Sequence, residues 1–345
     1  MPTSRKTPGQ ISTFKPAWWL RSAHLQTLYP ALFREVSSPP RQRERLRTPD
    51  NDFLDLDWCG EQGNATQPLI LLLHGLTGSA DSVYIKALQH CLLSHNMRSV
   101  ALNFRGCSGE ANHVARCYHS GDTQDIAFVY QTLREREPDS VLGAVGCSLG
   151  GNVLVKWLGE QGERVTLFGA VAVSVPFLLD ACASKLDRGF SKLYRANLLR
   201  ELKVYIAEKI AKLERIGNHK DANQLKALGN LSQITSFWEY DERVVAKLHG
   251  FESAQDYYLR SSSRQFLKTI ATPTLLIHAL DDPFMTQHVV PTQDELSVFV
   301  ETEFYQHGGH VGFVSGNNPF KPVYWLETRI TQFLLQRLTN QNTTH

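Results

Sequence analysis

Short apolar runs alternate with amphipathic stretches over most of this 345-residue chain. The apolar runs lie at residues 69–73, 99–104, 141–145, 167–175, 274–279 and 298–305. Helix-like spacing of apolar positions occupies residues 81–95, 123–137, 152–162 and 322–338. Continuous apolar strands separated by helices predict an α/β fold, in which helices cover both faces of a mostly parallel central sheet.

Three segments depart from this alternation. Residues 42–47 and 53–58 alternate apolar and polar positions around Pro49-Asp50-Asn51-Asp52, which predicts a β-hairpin. Residues 180–264 are charged and helix-forming, and they lie between two predicted strands, so we expect a helical cap inserted at about residues 177–265. Proline-rich residues 1–40 are predicted to form an N-terminal arm. The remainder, residues 41–345, then forms a single domain that includes the cap.

Composition and charge argue against several classes of function. The formal net charge of +2 indicates neither a nucleic acid nor an anionic membrane as partner. No apolar run reaches the ~20 residues of a transmembrane span. The first 16 residues lack the apolar core of a signal peptide. The six cysteines show no CxxC spacing, so we expect no metal or other cofactor, and a reduced, cytoplasmic setting.

The run Gly146-Cys147-Ser148-Leu149-Gly150 matches the pattern G-x-S-x-G. The pentapeptide alone is weak, because chance gives on the order of 0.1 matches in a chain of this length. Its context strengthens it, since a predicted strand precedes it and a predicted helix follows, as a nucleophile elbow requires. We therefore expect Ser148 to be a nucleophile. The alternative is a glycine-rich turn that carries an idle serine.

Two backbone amides are predicted to form an oxyanion hole. Leu149 follows the candidate nucleophile and begins the next helix, so its N–H points toward the developing charge. His74-Gly75-Leu76-Thr77-Gly78 follows the strand at residues 69–73, where this kind of site takes its second donor. We expect Leu76 to be that donor and His74 to have a structural role.

A carboxylate and a histidine follow later strands. The chain order serine, aspartate, histidine is the one found in α/β-hydrolases, where the imidazole takes the serine proton and the carboxylate orients the imidazole. Asp282 is favoured as the acid because it directly precedes the turn proline, with Asp281 as second choice. His310 is favoured over His307 because two glycines give its loop the freedom to return over the serine.

Several ordered motifs together resemble the YheT-type branch of the α/β-hydrolases. They are Gly146–Asn152, residues 104–110, His119-Ser120-Gly121, residues 278–284, residues 307–313 and His24-Leu25-Gln26-Thr27. The resemblance spans roughly residues 17–338 and implies a carboxylesterase or related hydrolase with a helical cap, whose animal relatives include lipid esterases and phospholipases. Cys147 departs from the pattern, because Tyr or Phe is common before the nucleophile.

The expected function is hydrolysis of a small-molecule carboxylic ester, with a lipid-like substrate suggested by the resemblance. An acyltransferase would use the same triad, and a non-catalytic binding protein could keep the same fold. For Arg105, Ser108 and His119 we favour a loop-bracing role over substrate contact. The cap aromatics Trp238, Tyr240, Tyr257 and Tyr258 are expected to pack helices rather than face a substrate.

Overall fold

The central sheet has eight strands in the computed structural model, which describes residues 13–342. The strands are β1 (Arg41–Arg47), β2 (Phe53–Cys59), β3 (Leu69–Leu73), β4 (Arg98–Asn103), β5 (Leu142–Cys147), β6 (Ala170–Val173), β7 (Thr274–Ala279) and β8 (Val300–Tyr305). Their spatial order is β1-β2-β4-β3-β5-β6-β7-β8. β2 pairs antiparallel with both β1 and β4, and every pair from β4 to β8 is parallel. The predicted mostly parallel sheet is confirmed.

The described structure has eleven α-helices, some of which pack on the two faces of the sheet. They are α1 (Ala23–Phe33), α2 (Val83–Ser94), α3 (Gln124–Arg136), α4 (Leu149–Gln161), α5 (Leu179–Leu186), α6 (Ser191–Arg215), α7 (His219–Lys226), α8 (Phe237–Tyr240), α9 (Lys247–His249), α10 (Ala254–Ser261) and α11 (Trp325–Asn342). A small ribbon pairs β9 (Val314–Ser315) with β10 (Val323–Tyr324). Within residues 13–342, no helix combines the length and apolar character that crossing a bilayer demands.

Strand β3 shows why the sheet is covered twice. Leu69, Leu71 and Leu73 belong to one buried cluster, whereas Ile70 and Leu72 belong to another. Because successive side chains in a strand point to opposite faces, an unbroken apolar strand needs a packed layer on each side. The unbroken apolar pattern of this strand therefore predicts a packed layer on each face of the sheet.

Only helical elements occur between β6 and β7 in the described structure. They run from α5 to α10 and end in a 3₁₀ turn at Arg264–Thr269. A separate buried cluster, distinct from the two that flank the sheet, holds these helices together. This agrees with the charged, helix-forming pattern of the region. The division of the chain into an arm, a single domain and a cap stays a prediction.

The described part of the predicted arm packs against the carboxyl-terminal part of the chain. Phe14 is buried, with its ring 5.1 Å from Phe313 and 5.4 Å from Trp325. Gln26 of α1 is fully buried and exchanges two hydrogen bonds with the backbone of Val314. Within the predicted arm, residues Ala23–Phe33 form the helix α1. Residues 1–12, including Pro8, lie outside the described residues.

Arg105, in the loop after β4, braces three acidic side chains. Its guanidinium donates a bidentate pair of hydrogen bonds to Asp125, both at 2.8 Å, and a third to Asp52 at 3.0 Å. Asp50 lies 2.9 Å away. Only 2% of Arg105 is exposed, and the residue does not line the cavity described below. The bracing role expected for Arg105 therefore accounts for its contacts.

Replacing Arg105 by Met should destabilise the fold. Asp52 would stay buried without its cation, and Asp125 would keep only Arg116, at 3.4 Å, which costs on the order of 3–5 kcal/mol. We expect the melting temperature measured by calorimetry to fall by roughly 4–7 °C, given the unfolding entropy of a chain of this length. Arg200→Met is the matched control, since the Arg200 side chain is 72% exposed, and its melting temperature should stay near that of the parent. Equal melting temperatures for both variants would contradict the bracing role.

Candidate active site

Ser148 stands at the sharp turn from β5 into α4, in a left-handed backbone conformation. Its φ is 53° and its ψ is −121°, and its N–H donates to the carbonyl of Val173 at 2.8 Å. Positive φ is costly for a residue with a side chain and is held only where the surroundings enforce it. A Cβ on Gly146 would lie 2.4 Å from the carbonyl oxygen of Gly150, so the strand and helix meet closely only because glycine is there.

Three side chains from distant parts of the chain form a continuous hydrogen-bonded series. His310 Nε2 lies 2.9 Å from Ser148 Oγ, and His310 Nδ1 lies 2.7 Å from Asp282 Oδ2. The other oxygen of Asp282 accepts the N–H of Phe284 at 2.8 Å, and the Phe284 ring packs 4.2 Å from the imidazole. The structure thus brings together Ser148, Asp282 and His310, the residues the sequence favoured.

The second-choice residues, Asp281 and His307, lie beside this series and contact each other. Asp281 Oδ2 is 3.1 Å from His307 Nδ1, and Asp281 Oδ1 accepts the N–H of Gly309 at 3.0 Å. Neither side chain hydrogen-bonds to His310. Asp281 therefore holds the backbone of the loop, while its neighbour Asp282 holds the imidazole.

Three consecutive amides of the His310 loop are each held by a side-chain oxygen. Gly309 N–H binds Asp281, His310 N–H binds Thr27 Oγ1 at 2.9 Å, and Val311 N–H binds Ser174 Oγ at 3.0 Å. These acceptors come from the loop after β7, from α1 and from the end of β6. The loop needs this support, because Val311 is β-branched and has a φ of 52°.

The two residues whose amides are predicted to form the oxyanion hole, Leu76 and Leu149, line the cavity described below. Gly75 N–H donates to Tyr84 Oη at 2.7 Å, and Thr77 N–H donates to Tyr118 Oη at 3.0 Å. Leu76, between them, and Leu149, after the serine, both line the cavity. Within the described structure, neither of these two N–H groups has a protein acceptor. Both remain available to an oxyanion bound beside Ser148.

His74 has the structural role expected of it. Burial lowers the pKa of His74 to about 4, so its imidazole is neutral. The ring accepts the N–H of Phe104 on Nε2 at 3.1 Å, which leaves the proton on Nδ1 to be donated to the carbonyl of Gly75 at 2.8 Å. His74 thereby ties the Leu76 loop to the end of β4.

The two cysteines near the serine are poor nucleophiles. Burial raises the pKa of Cys147 and of Cys107 to about 12, so both stay protonated thiols at neutral pH. Because the thiolate is the reactive form, neither competes with Ser148. Cys147 belongs to the buried cluster on one face of the sheet, as expected for a packing residue.

A cavity of about 330 Å³ opens over Ser148 and His310. Its walls are mainly apolar and come from α1 and from the helices between β6 and β7. Among the lining residues are Pro30, Ala31, Leu186, Leu202, Val244 and Val245. The expectation for the cap aromatics is wrong in part, because Tyr240, Tyr257 and Tyr258 line this cavity as well as packing. Trp238 is not a lining residue, and its Nε1 donates to Ser184 Oγ.

Sequence reasoning did not identify the residues that support the site. Thr27 stood in a family motif but had no assigned role, and Ser174 stood out only as a polar interruption in an apolar run. Tyr84 and Tyr118 gave no signal, because a tyrosine in a helix or loop has no spacing that points to a distant amide. Their roles depend on contacts that only the folded chain creates.

The comparisons with known proteins identify the family. The model of the α/β hydrolase fold family matches residues 68–317. YheT of Escherichia coli strain K12 is 38% identical over 93% of this chain and 92% of its own length. Phospholipase ABHD3 of Mus musculus is 29% identical over 92% of this chain and 77% of its own.

A solved structure shows the same fold. The Pyrococcus furiosus esterase Pf2001 superposes with a TM-score of 0.55 at 16% identity, over 89% of this chain and 98% of that one. The family match over residues 68–317 includes Ser148, both aspartates and both candidate histidines. The chain belongs to the α/β-hydrolase fold family, in the branch represented by YheT.

Proposed function

We propose that the protein is a carboxylic ester hydrolase that works through an acyl-enzyme on Ser148. The observation that carries this proposal is the unbroken series from Asp282 through His310 to Ser148, with the serine hydroxyl at an apolar cavity. An unassisted serine hydroxyl is a weak nucleophile and needs an adjacent base. The relatives named as a phospholipase and as a monoacylglycerol lipase support an ester substrate with an acyl chain.

The hydrogen bonds favour one imidazole tautomer. With its proton on Nδ1, His310 donates to Asp282 and leaves Nε2 free to accept the proton of Ser148 Oγ. As the oxygen attacks the ester carbonyl, the imidazole becomes positively charged and Asp282 stabilises that charge. The developing oxyanion accepts the N–H groups of Leu76 and Leu149, which need no reorganisation to receive it.

Three further proton transfers complete the cycle. The tetrahedral intermediate collapses as His310 Nε2 gives its proton to the leaving alcohol, and the acyl group stays on Ser148. Water then enters, His310 takes one of its protons, and the resulting hydroxide attacks the acyl carbonyl. A second collapse returns the proton to Ser148 Oγ and releases the carboxylic acid.

Replacing Ser148 by Ala should abolish ester turnover. We expect kcat for p-nitrophenyl esters from acetate to palmitate to fall by a factor of about 10⁴ or more, because the covalent route is lost. Ser94→Ala at the exposed end of α2 is the matched control and should retain full activity. Retained turnover in Ser148→Ala would overturn the proposal. Wild-type failure to react with a serine-directed phosphonate would favour a binding protein on this fold.

Asn substitutions at the adjacent aspartates should separate their roles. Asp282→Asn leaves the shape unchanged but favours the wrong tautomer of His310, so kcat should fall about 10³- to 10⁴-fold. Asp281→Asn keeps an oxygen that can accept the Gly309 N–H, so its kcat should fall less than about tenfold. The measurement is kcat for one ester at pH 8 in both variants. A larger loss of kcat in Asp281→Asn than in Asp282→Asn would mean that Asp281, and not Asp282, is the acid that orients His310.

Thr27 should act as a positioning residue for His310. Thr27→Val keeps the side-chain volume but leaves the His310 N–H without its acceptor, and a small displacement of the imidazole should lower kcat about 10- to 100-fold. Thr27→Ser keeps the hydroxyl and should restore most of the rate. Thr132→Val is the matched control. The hydroxyls of Thr27 and Thr132 each donate a 2.8 Å hydrogen bond to the carbonyl four residues earlier, but Thr132 lies in α3 and does not contact His310. Equal kcat in both valine variants would exclude this role.

A further inference from the structure

One part of the cavity wall is polar, although the rest is mainly apolar. Tyr240, Asp241, Tyr257 and Tyr258 all line the cavity, and together they are named here the cap cluster. Each of the four residues is between 3% and 8% exposed. A carboxyl group and three phenol hydroxyls are thus withdrawn from bulk water on the cap side of the space that Ser148 faces.

The cap cluster does not use all of its own hydrogen-bonding capacity. Tyr258 Oη donates to Asp241 Oδ2 at 2.6 Å, and Tyr257 Oη accepts the N–H of Ser120 at 3.0 Å. Asp241 Oδ1 and Tyr240 Oη have no hydrogen-bond partner among the described residues. Because both residues line the cavity, a polar group bound there can pair with these two atoms.

The local backbone fixes where these unused atoms lie. A π-helix at Asp241–Ala246 joins α8 to α9, so the cap cluster begins at a helical irregularity of a kind that occurs frequently at functional sites. Tyr257 is tied to the nucleophile elbow as well, because the Ser120 carbonyl accepts a 2.8 Å bond from Asn152 of α4. Tyr257 is therefore linked to the helix that follows Ser148 through two hydrogen bonds, from Ser120 to Tyr257 and from Asn152 to Ser120.

The surroundings favour an uncharged ligand group. Burial raises the pKa of Asp241 to about 7, and burial lowers the pKa of His119 to about 3 and that of His249 to about 2. Both histidines line the same cavity. This part of the molecule penalises charge of either sign, and a charged substrate group would meet the same desolvation cost. A hydroxyl group avoids that cost and can both donate to a carboxyl oxygen and accept from a phenol.

We propose that the cap cluster is a polar subsite that binds a hydroxyl group of the substrate, which donates to Asp241 Oδ1 and accepts from the hydroxyl of Tyr240 or Tyr257. The subsite rests on the proposed function, since it selects among esters that Ser148 would cleave. The hydroxyl can belong to the acyl part or to the alcohol part of the ester. In either case the apolar walls would hold the carbon chain between the ester and the hydroxyl.

Binding to Ser148→Ala tests the subsite without turnover. Calorimetry should compare alkan-1-ols with α,ω-alkanediols of four to ten carbons. An apolar cavity prefers the alkanol, so a diol that binds about tenfold tighter at one chain length requires a polar partner. Adding Asp241→Leu or Asp241→Asn should reduce that preference, with leucine abolishing it, whereas adding Asp221→Leu on α7 should leave it unchanged. No diol preference at any length, or tighter binding of the matching amino alcohol, would overturn the proposal.

Kinetics on the wild type then identify which part of the ester carries the hydroxyl. One arm compares p-nitrophenyl alkanoates with their ω-hydroxy counterparts, and the other compares alkyl butyrates with ω-hydroxyalkyl butyrates. We expect kcat/KM to rise about tenfold with the hydroxyl in one arm, and this ratio to collapse in Asp241→Leu. A ratio of one or less in both arms overturns the subsite while leaving ester hydrolysis standing. Absence of turnover with all four series defeats the proposed function, and the binding result still decides the subsite.

Discussion

The placement of His310 depends on three neighbouring backbone amides, those of Gly309, His310 and Val311. A loop that carries positive φ at Val311 would not hold one conformation by its own preferences. Oxygen atoms of Asp281, Thr27 and Ser174 hold it from three sides. Because those acceptors lie on separate elements, the imidazole reaches Ser148 only when the sheet, the loop after β7 and α1 are all assembled.

Ser148 is held in place by a second constraint, at the turn between β5 and α4. Its positive φ is strained, and it lies at the junction of a strand and a helix. Glycines in both elements allow the strand and the helix to approach each other closely. Two tyrosine hydroxyls accept hydrogen bonds from the amides on either side of Leu76, whose own N–H has no acceptor among the described residues. The polar atoms around the serine are thus divided between structural bonds and groups left free for a reacting ester.

The helices between β6 and β7 contribute both apolar and polar groups to the cavity wall. Most of the cavity surface is apolar, which favours a hydrocarbon chain. The cap cluster interrupts that surface with Asp241, whose burial without a cation costs free energy that an apolar residue would not. In the proposed subsite, a substrate hydroxyl that donates to Asp241 would offset that cost.

The sequence by itself determined the layers of the fold and the order of the site. Apolar runs marked β3 and β7 at their observed bounds, because a strand buried on both faces leaves an unmistakable pattern. The G-x-S-x-G turn and the order of Ser148, Asp282 and His310 followed from local motifs. Only the tertiary structure decided that Asp282 rather than Asp281 contacts the imidazole, that Thr27 of α1 supports it across 283 positions, and that the cap tyrosines line the cavity. The physical reason is that these contacts join residues that are far apart in the sequence. Tertiary packing brings them together, and no periodic pattern in the sequence predicts which of them will meet.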